Sequence, residues 1–198
     1  GKTWLNNNLG ANYANINNAA FDPAQQATVS ADEDAYGSLF QWGRDGDGHE
    51  FRDSNDVSGP KAAGTEGSDF ITSSSDWLST QDDNRWNANE TAGGAVVKTA
   101  DDPCPNGYRV PTEAEWQAEI TDGGWSNASD ANSSDLALPV AGRRLRSTGA
   151  LNDVGSIGYY WSSTVSGTSA RGLLFSSSGA VMLAFNRALG FSVRCIQE

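Results

Sequence analysis

The chain has 198 residues, a mass of 20.9 kDa and a formal net charge of −12. That length suits a single domain with a real core, and 37% hydrophobic with 19% charged residues excludes both a coiled coil and a charge-driven disordered chain. An acidic surface repels phosphate backbones, so nucleic acid is excluded as an expected partner; no apolar run approaches the roughly 18 residues of a membrane span, so no membrane insertion is expected.

Gly, Asn, Ser, Thr and Asp fill the composition, and seven Trp, five Tyr and seven Phe replace long aliphatic runs as core material. Of the 25 acidic residues, 17 precede residue 103, while Arg supplies 10 of the 13 basic residues. The abrupt opening at Gly1-Lys2-Thr3-Trp4 predicts a trimmed or processed start.

In chain order, Gly1 to Leu9 reads as a strand closed by Gly10, followed by Asn- and Asp-rich loop to about residue 35. Tyr36 to Trp42 is a compact apolar segment between turns and is expected in the core. Arg44 to Gly67 reads as a long surface excursion, of the kind that carries function or an ion. Within it, Asp45, Asp47 and Glu50 resemble a fragment of a calcium loop, although His49 stands where Asp or Asn belongs. A calcium ion on these three carboxylates is one expectation; a solvated acidic turn relieved by Arg44 and Arg52 is the other.

Asp76 to Trp86 allows one or two helical turns. The clearest helix start is Thr112, preceded by Pro111 and followed three residues on by Glu115, the pattern of a capping box, with Gly123-Gly124 as the stop. Leu136 to Ala141 reads as a strand. From Gly158 the texture becomes short apolar pieces between Gly/Ser turns, which predicts an antiparallel meander. One helix before a run of strands gives a loop-rich α+β domain spanning residues 1–198, with C-terminal antiparallel β-strands.

The two cysteines, Cys104 and Cys195, are far apart and belong to no metal-ligand spacing. A long-range disulfide is the favoured reading, with two buried thiols as the alternative; a zinc site would need His49 and a borrowed carboxylate. A disulfide points to an extracellular, cell-surface or virion setting. His49 lacks a nucleophile elbow to serve, and no phosphate-binding or HExxH motif occurs, so no enzyme is expected.

Six segments carry a resemblance: GKTWLNNNLGA (1–11), YGSLFQWGRDGDGHE (36–50), CPNGYRVPTEAEW (104–116), LPVAGRR (138–144), GYYWSST (158–164) and GFSVRCI (190–196). In this order they resemble the Fibrobacter succinogenes major paralogous domain family, in the formylglycine-generating-enzyme-like branch of the C-type lectin fold. The arrangement is also similar to the variable proteins of diversity-generating retroelements, in which the last strands of a C-type lectin fold display diversified ligand-binding residues.

The resemblance implies a ligand- or receptor-binding protein whose variable segment is 158–190 and whose partner is a protein or other macromolecule. Its surface residues would be Tyr159, Ser166, Thr168, Ser169, Arg171, Leu174, Met182, Leu183, Ala184, Phe185 and Asn186. Trp161, Arg187, Val193, Arg194 and Cys195 would belong to the framework. A structural or adhesive surface domain without a diversified site is the alternative. Formylglycine-generating oxidase chemistry is more remote, because only Cys195 lies near the C-terminal end where that family has a close cysteine pair. Calcium-dependent sugar binding lacks its EPN or QPD and WND motifs here.

Overall fold

The computed structural model describes residues 2–198. Its short early strands are β1 (Phe40–Gln41), β2 (Asp56–Ser58), β3 (Phe70–Thr72) and β4 (Tyr108–Arg109), followed by helices α1 (Glu113–Asp122) and α2 (Ala128–Ser133). After these come β5 (Arg143–Arg144), β6 (Leu151–Asn152), β7 (Gly158–Ser166), β8 (Ser169–Ser176), β9 (Gly179–Asn186), β10 (Gly190–Phe191) and β11 (Ile196–Gln197). The result is a loop-rich α+β chain in which the C-terminal strands are the longest.

The capping box forms as the sequence predicts. The Thr112 hydroxyl accepts from the Glu115 amide at the start of α1, and Glu115 returns a bond from the Thr112 amide. The meander forms as well: β7, β8 and β9 make a three-stranded antiparallel sheet in sequence order. A second sheet runs β1-β10-β5-β6, and β11 pairs with β4. No helix among the described residues is long and apolar enough to cross a membrane.

Other expected elements do not form. Of the expected strand at 1–9, Gly1 lies outside the described residues and the remainder is irregular chain, with a bend at Asn6–Asn7 and one bridge, Trp4 to Ile196. Residues 76–86 are loop, held by the Trp77 and Trp86 indoles in the core, and 136–141 is a buried run without a strand partner, in which Ala137 takes φ 43°. These segments make scattered long-range backbone bonds, such as Leu5 to Cys195, Ser79 to Lys61 and Val140 to Ser30, instead of a regular ladder, which local periodicity does not reveal.

The six segments singled out above, scattered over the sequence, meet around residues 190–196. Gly190 pairs with Gln41 and with Arg144, Ser192 bonds Tyr159 and Trp161, and Val193 and Cys195 accept from Leu9 and Leu5. Cys195 is bonded to Cys104 across 91 positions, which settles the cysteine question in favour of the disulfide. Gly190 has to be glycine in this crossing, because a Cβ there would lie 2.9 Å from the Arg144 Cβ and from the Phe70 ring.

Strand β7 divides the core in two. Tyr159 and Trp161 turn toward Phe40, Trp42, Phe191 and the disulfide, while Tyr160 turns toward Trp116, Leu138, Leu173 and Phe175 under the helices.

Candidate functional site

The β7–β9 sheet is the region where expected binding residues gather, and strand register decides which of them share a face. Leu174 stands between Tyr159 and Val181, Gly172 between Trp161 and Leu183, and Ala170 pairs with Phe185. These side chains form one face of the sheet. Leu173 with Met182, Arg171 with Ala184 and Ser169 with Asn186 belong to the other face, toward α1 and α2.

The first face is rigid where it meets the rest of the fold. The Trp161 indole donates to the Phe40 carbonyl at 2.8 Å and stacks on Phe191 with centroids 4.2 Å apart. Trp42 donates to the Ser162 carbonyl and Trp116 to the Trp161 carbonyl, so β7 is gripped from both sides. Toward β9 the cover ends: Val181 and Leu183 are 43% and 40% exposed, and Leu174 and Phe185 are half-buried beside them.

Buried arginines hold the segment that follows. Arg187 lies over the Trp42 ring, with its charge met by Asp83 at 2.5 Å and Asp76 at 3.8 Å. Arg194 is fully buried without a carboxylate partner; it donates to Asn8 Oδ1 and to the carbonyls of Leu5 and Leu136. Burial lowers its pKa to about 10, against the opposing pull of Tyr160. It joins the two ends of the described chain to the 136–141 run.

The expected surface residues therefore divide. Leu183 and Ala184 are exposed on β9, Ser166 and Thr168 are exposed at the β7–β8 turn, and Ser169, Leu174, Phe185 and Asn186 are half-buried. Arg171 is half-buried and forms a two-nitrogen pair with Glu113 Oε1 on the helix side.

Two residues are corrected. Tyr159 is 3% exposed, because Phe191 packs on its ring, Arg143 lies over it and its hydroxyl donates to Asp153. Burial and Asp153 raise its pKa to about 12. Met182 is 6% exposed because it stands opposite Leu173 on the helix side. A single patch of aromatic and aliphatic side chains with one arginine is thus not formed; Arg171 and Phe185 lie on opposite faces. Sequence reasoning missed Val181, which a period of two from Leu183 would have found.

The segment 158–191 also has a charge character of its own. It contains Arg171 and Arg187 and no Asp or Glu, in a chain of net charge −12. Both arginines are paired, so the sheet is close to neutral.

The carboxylates of the acidic loop are met by protein donors. Asp47 Oδ2 accepts two bonds from Arg44, and Oδ1 accepts from the His49 amide and from Nδ1 of its ring. His49 Nε2 accepts from the Gln41 amide, so with Nδ1 donating, neither ring nitrogen keeps a lone pair for a metal. Burial lowers the His49 pKa, against the pull of Asp47, and keeps the ring neutral. Burial raises the Asp47 pKa, but His49 and Arg44 outweigh it and hold that carboxyl at about 2.

Glu50 accepts from the Gly48 amide and Asp45 from that of Gly46. Asp45 stands apart from the close group of Asp47, His49 and Glu50. Arg44 supplies the compensating charge that the sequence reading offered as the alternative to calcium. Arg44 and His49 are themselves buried, so the expected surface excursion is anchored in the core.

Comparison with family models, with curated proteins and with solved structures finds no match.

Proposed function

We propose that the chain is a ligand- or receptor-binding protein built on a C-type lectin scaffold, presenting the open face of β7–β9 to a protein or other macromolecular partner. The observation that carries this reading is the contrast within one sheet. Apolar Val181 and Leu183 stand exposed on a neutral surface, while the strands beneath are gripped by Trp161, Phe191 and Arg187. Exposed apolar side chains on a rigid backbone make a favourable contact surface, because little conformational entropy is lost on binding.

The convergence of the six resembling segments on residues 190–196 supports their belonging to one framework. In the retroelement version of this reading, the exposed positions change while that framework stays. The setting that suits a disulfide-bonded domain of this kind is the cell exterior or a virion surface.

A display library tests the reading. Ser166, Thr168, Val181 and Leu183 are randomised together and selected against lysozyme as a model protein. Folded display of most variants and recovery of specific binders is the expected result. Loss of folding in most variants would show that these positions are structural. A folded library without binders would remove the ligand-binding reading.

A further inference from the structure

The end of helix α1 is built against its own electrostatics. The carbonyl end of a helix carries partial negative charge and is ordinarily met by Lys, Arg or His, yet the last turn of α1 holds Glu119 and Asp122 and no basic residue. Asp130 of α2 and Asp135 just beyond it join them in lining a cleft of about 500 Å³ beside that helix end. No Lys or Arg lines the cleft, and none of the four carboxylates stands in an ion pair among the described residues. Lys2, which lines a neighbouring cleft with Glu119 and Asp135, pairs with Glu115 instead. Burial raises the Glu119 pKa against the bond from the Trp4 indole, and the charges of Asp122 and Asp135 add to the rise.

An unmet donor stands in the same wall. Trp125 is 5% exposed and its ring lies in the second core, but its Nε1 has no acceptor. The other six tryptophans all donate: Trp4 to Glu119, and Trp42, Trp77, Trp86, Trp116 and Trp161 to backbone carbonyls. Gly123 lines the cleft over the Trp125 ring, and a Cβ there would come within 2.4 Å of Nε1. The indole edge thus sits against glycine, where any other residue would collide with it.

We propose that this cleft binds a basic, extended peptide segment of a protein partner. Its Lys or Arg side chains meet Glu119, Asp122 and Asp135, while one of its backbone carbonyls accepts from the Trp125 indole. The two observations together choose the ligand. A metal ion needs carboxylates that converge on one point, and among the described residues only Asp47, His49 and Glu50 lie so close. A protonated polyamine supplies cations but no acceptor, and phosphate-bearing ligands are repelled. A basic peptide carries both, with its cations spaced along a row of carbonyls. The cleft lies on the helix side of the β7–β9 sheet, away from the open face, so this second site holds or fails apart from the proposed function.

Titration of the whole chain at low salt with a capped peptide of alternating lysine and glycine, followed by heteronuclear NMR, tests the site. The indole signal that Trp125→Phe removes is expected to move downfield as the peptide binds, and the complex is expected to weaken with salt. Asp122→Asn with Asp135→Asn should weaken binding about tenfold. The same variant should melt no lower than the native chain, because it removes charge that opposes the helix end. Trp125→Phe should weaken binding about fivefold. If Trp125→Phe fails to fold, the indole shift in the native chain carries that arm. Absence of binding at low salt, or binding that the paired Asn variant leaves unchanged, overturns the proposal. Binding that leaves the indole signal in place, or an equal response to spermine, reduces the cleft to a charged surface and also overturns it. A calcium titration that moves the same indole signal overturns it in favour of a metal.

Discussion

The β7–β9 sheet and the loops of the first hundred residues reach the same degree of order by different means. In the sheet, backbone groups satisfy one another, and side chains are left to choose a face. In the loops, strands are two or three residues long, and the backbone bonds irregularly to distant backbone and to side chains that reach in among it. Gln41 alone bonds Ile71 and Ala188 backbone and the Arg44 guanidinium, and Arg144 reaches the carbonyls of Phe51 and Gly149. The lesson is that sequence tolerance should be divided in the same way. A sheet position can change its side chain and keep its hydrogen bonds, whereas a loop position loses both together.

The sharpest way to break the comparison is to cut the link between the regions. The Cys104–Cys195 bridge closes 91 positions, and in the chain-entropy treatment its loss costs about 4–5 kcal/mol. Paired Cys104→Ser and Cys195→Ser replacement should lower the melting temperature by many degrees. The intact protein, denatured without reductant, should yield no free thiol; two thiols per chain would contradict the bridge.

Next in size is Arg194. Arg194→Met should cost about 3–5 kcal/mol, since the Asn8 Oδ1 and the Leu5 and Leu136 carbonyls lose their donor inside the core. Chemical denaturation measures this, and a change below about 1 kcal/mol would mean that the loops do not rely on it.

Acid should loosen the helix entry. Burial raises the Glu115 pKa, but Arg109 and the Thr112 amide and hydroxyl outweigh it and hold the carboxyl at about 2. A carboxyl lowered in the folded state stabilises at neutral pH and loses that contribution as pH falls from the ordinary value, 4.5, toward 2. The loss is about 2–3 kcal/mol by linkage. Glu115→Gln should flatten that part of the stability profile; an unchanged slope would place the acid sensitivity elsewhere.

The smallest effects belong to the open face. Val181→Ser with Leu183→Ser should change stability by no more than about 1 kcal/mol, because both side chains already meet solvent. Adding Leu174→Ser and Phe185→Ser should cost more, since these two are packed against the first core. Calcium and chelator should both leave the melting midpoint in place, because Arg44 already meets Asp47; a calcium-dependent rise would restore an ion to that loop.

Some of this was legible in advance because the signals were local. Thr112 and Glu115 sit three apart, and Gly/Ser turns mark the strands of the meander. What stayed hidden depends on partners far along the chain. Tyr159 reads as a surface aromatic until Phe191 is placed on it, 32 residues later. Arg44 and His49 lie in a run of Asp and Gly that looks solvated, yet Gln41 and the Trp77 ring draw them inward. The division of 181–185 between two faces was implicit in strand period, but only the pairing with Leu173 shows that Met182 is the covered member.

The meeting of so many segments at residues 190–196 has a consequence for synthesis. The ribosome makes those seven residues after nearly all the others described here, so the early loops spend translation without the segment that organises them. Folding has to wait, and the waiting chain keeps its tryptophans exposed and its cysteines apart. Fragments ending before Gly190 should behave as aggregation-prone, protease-sensitive polypeptides however much of the chain they contain. A segment that stays unfolded until residues 190–196 emerge is also one that can be threaded through a translocation pore before it folds.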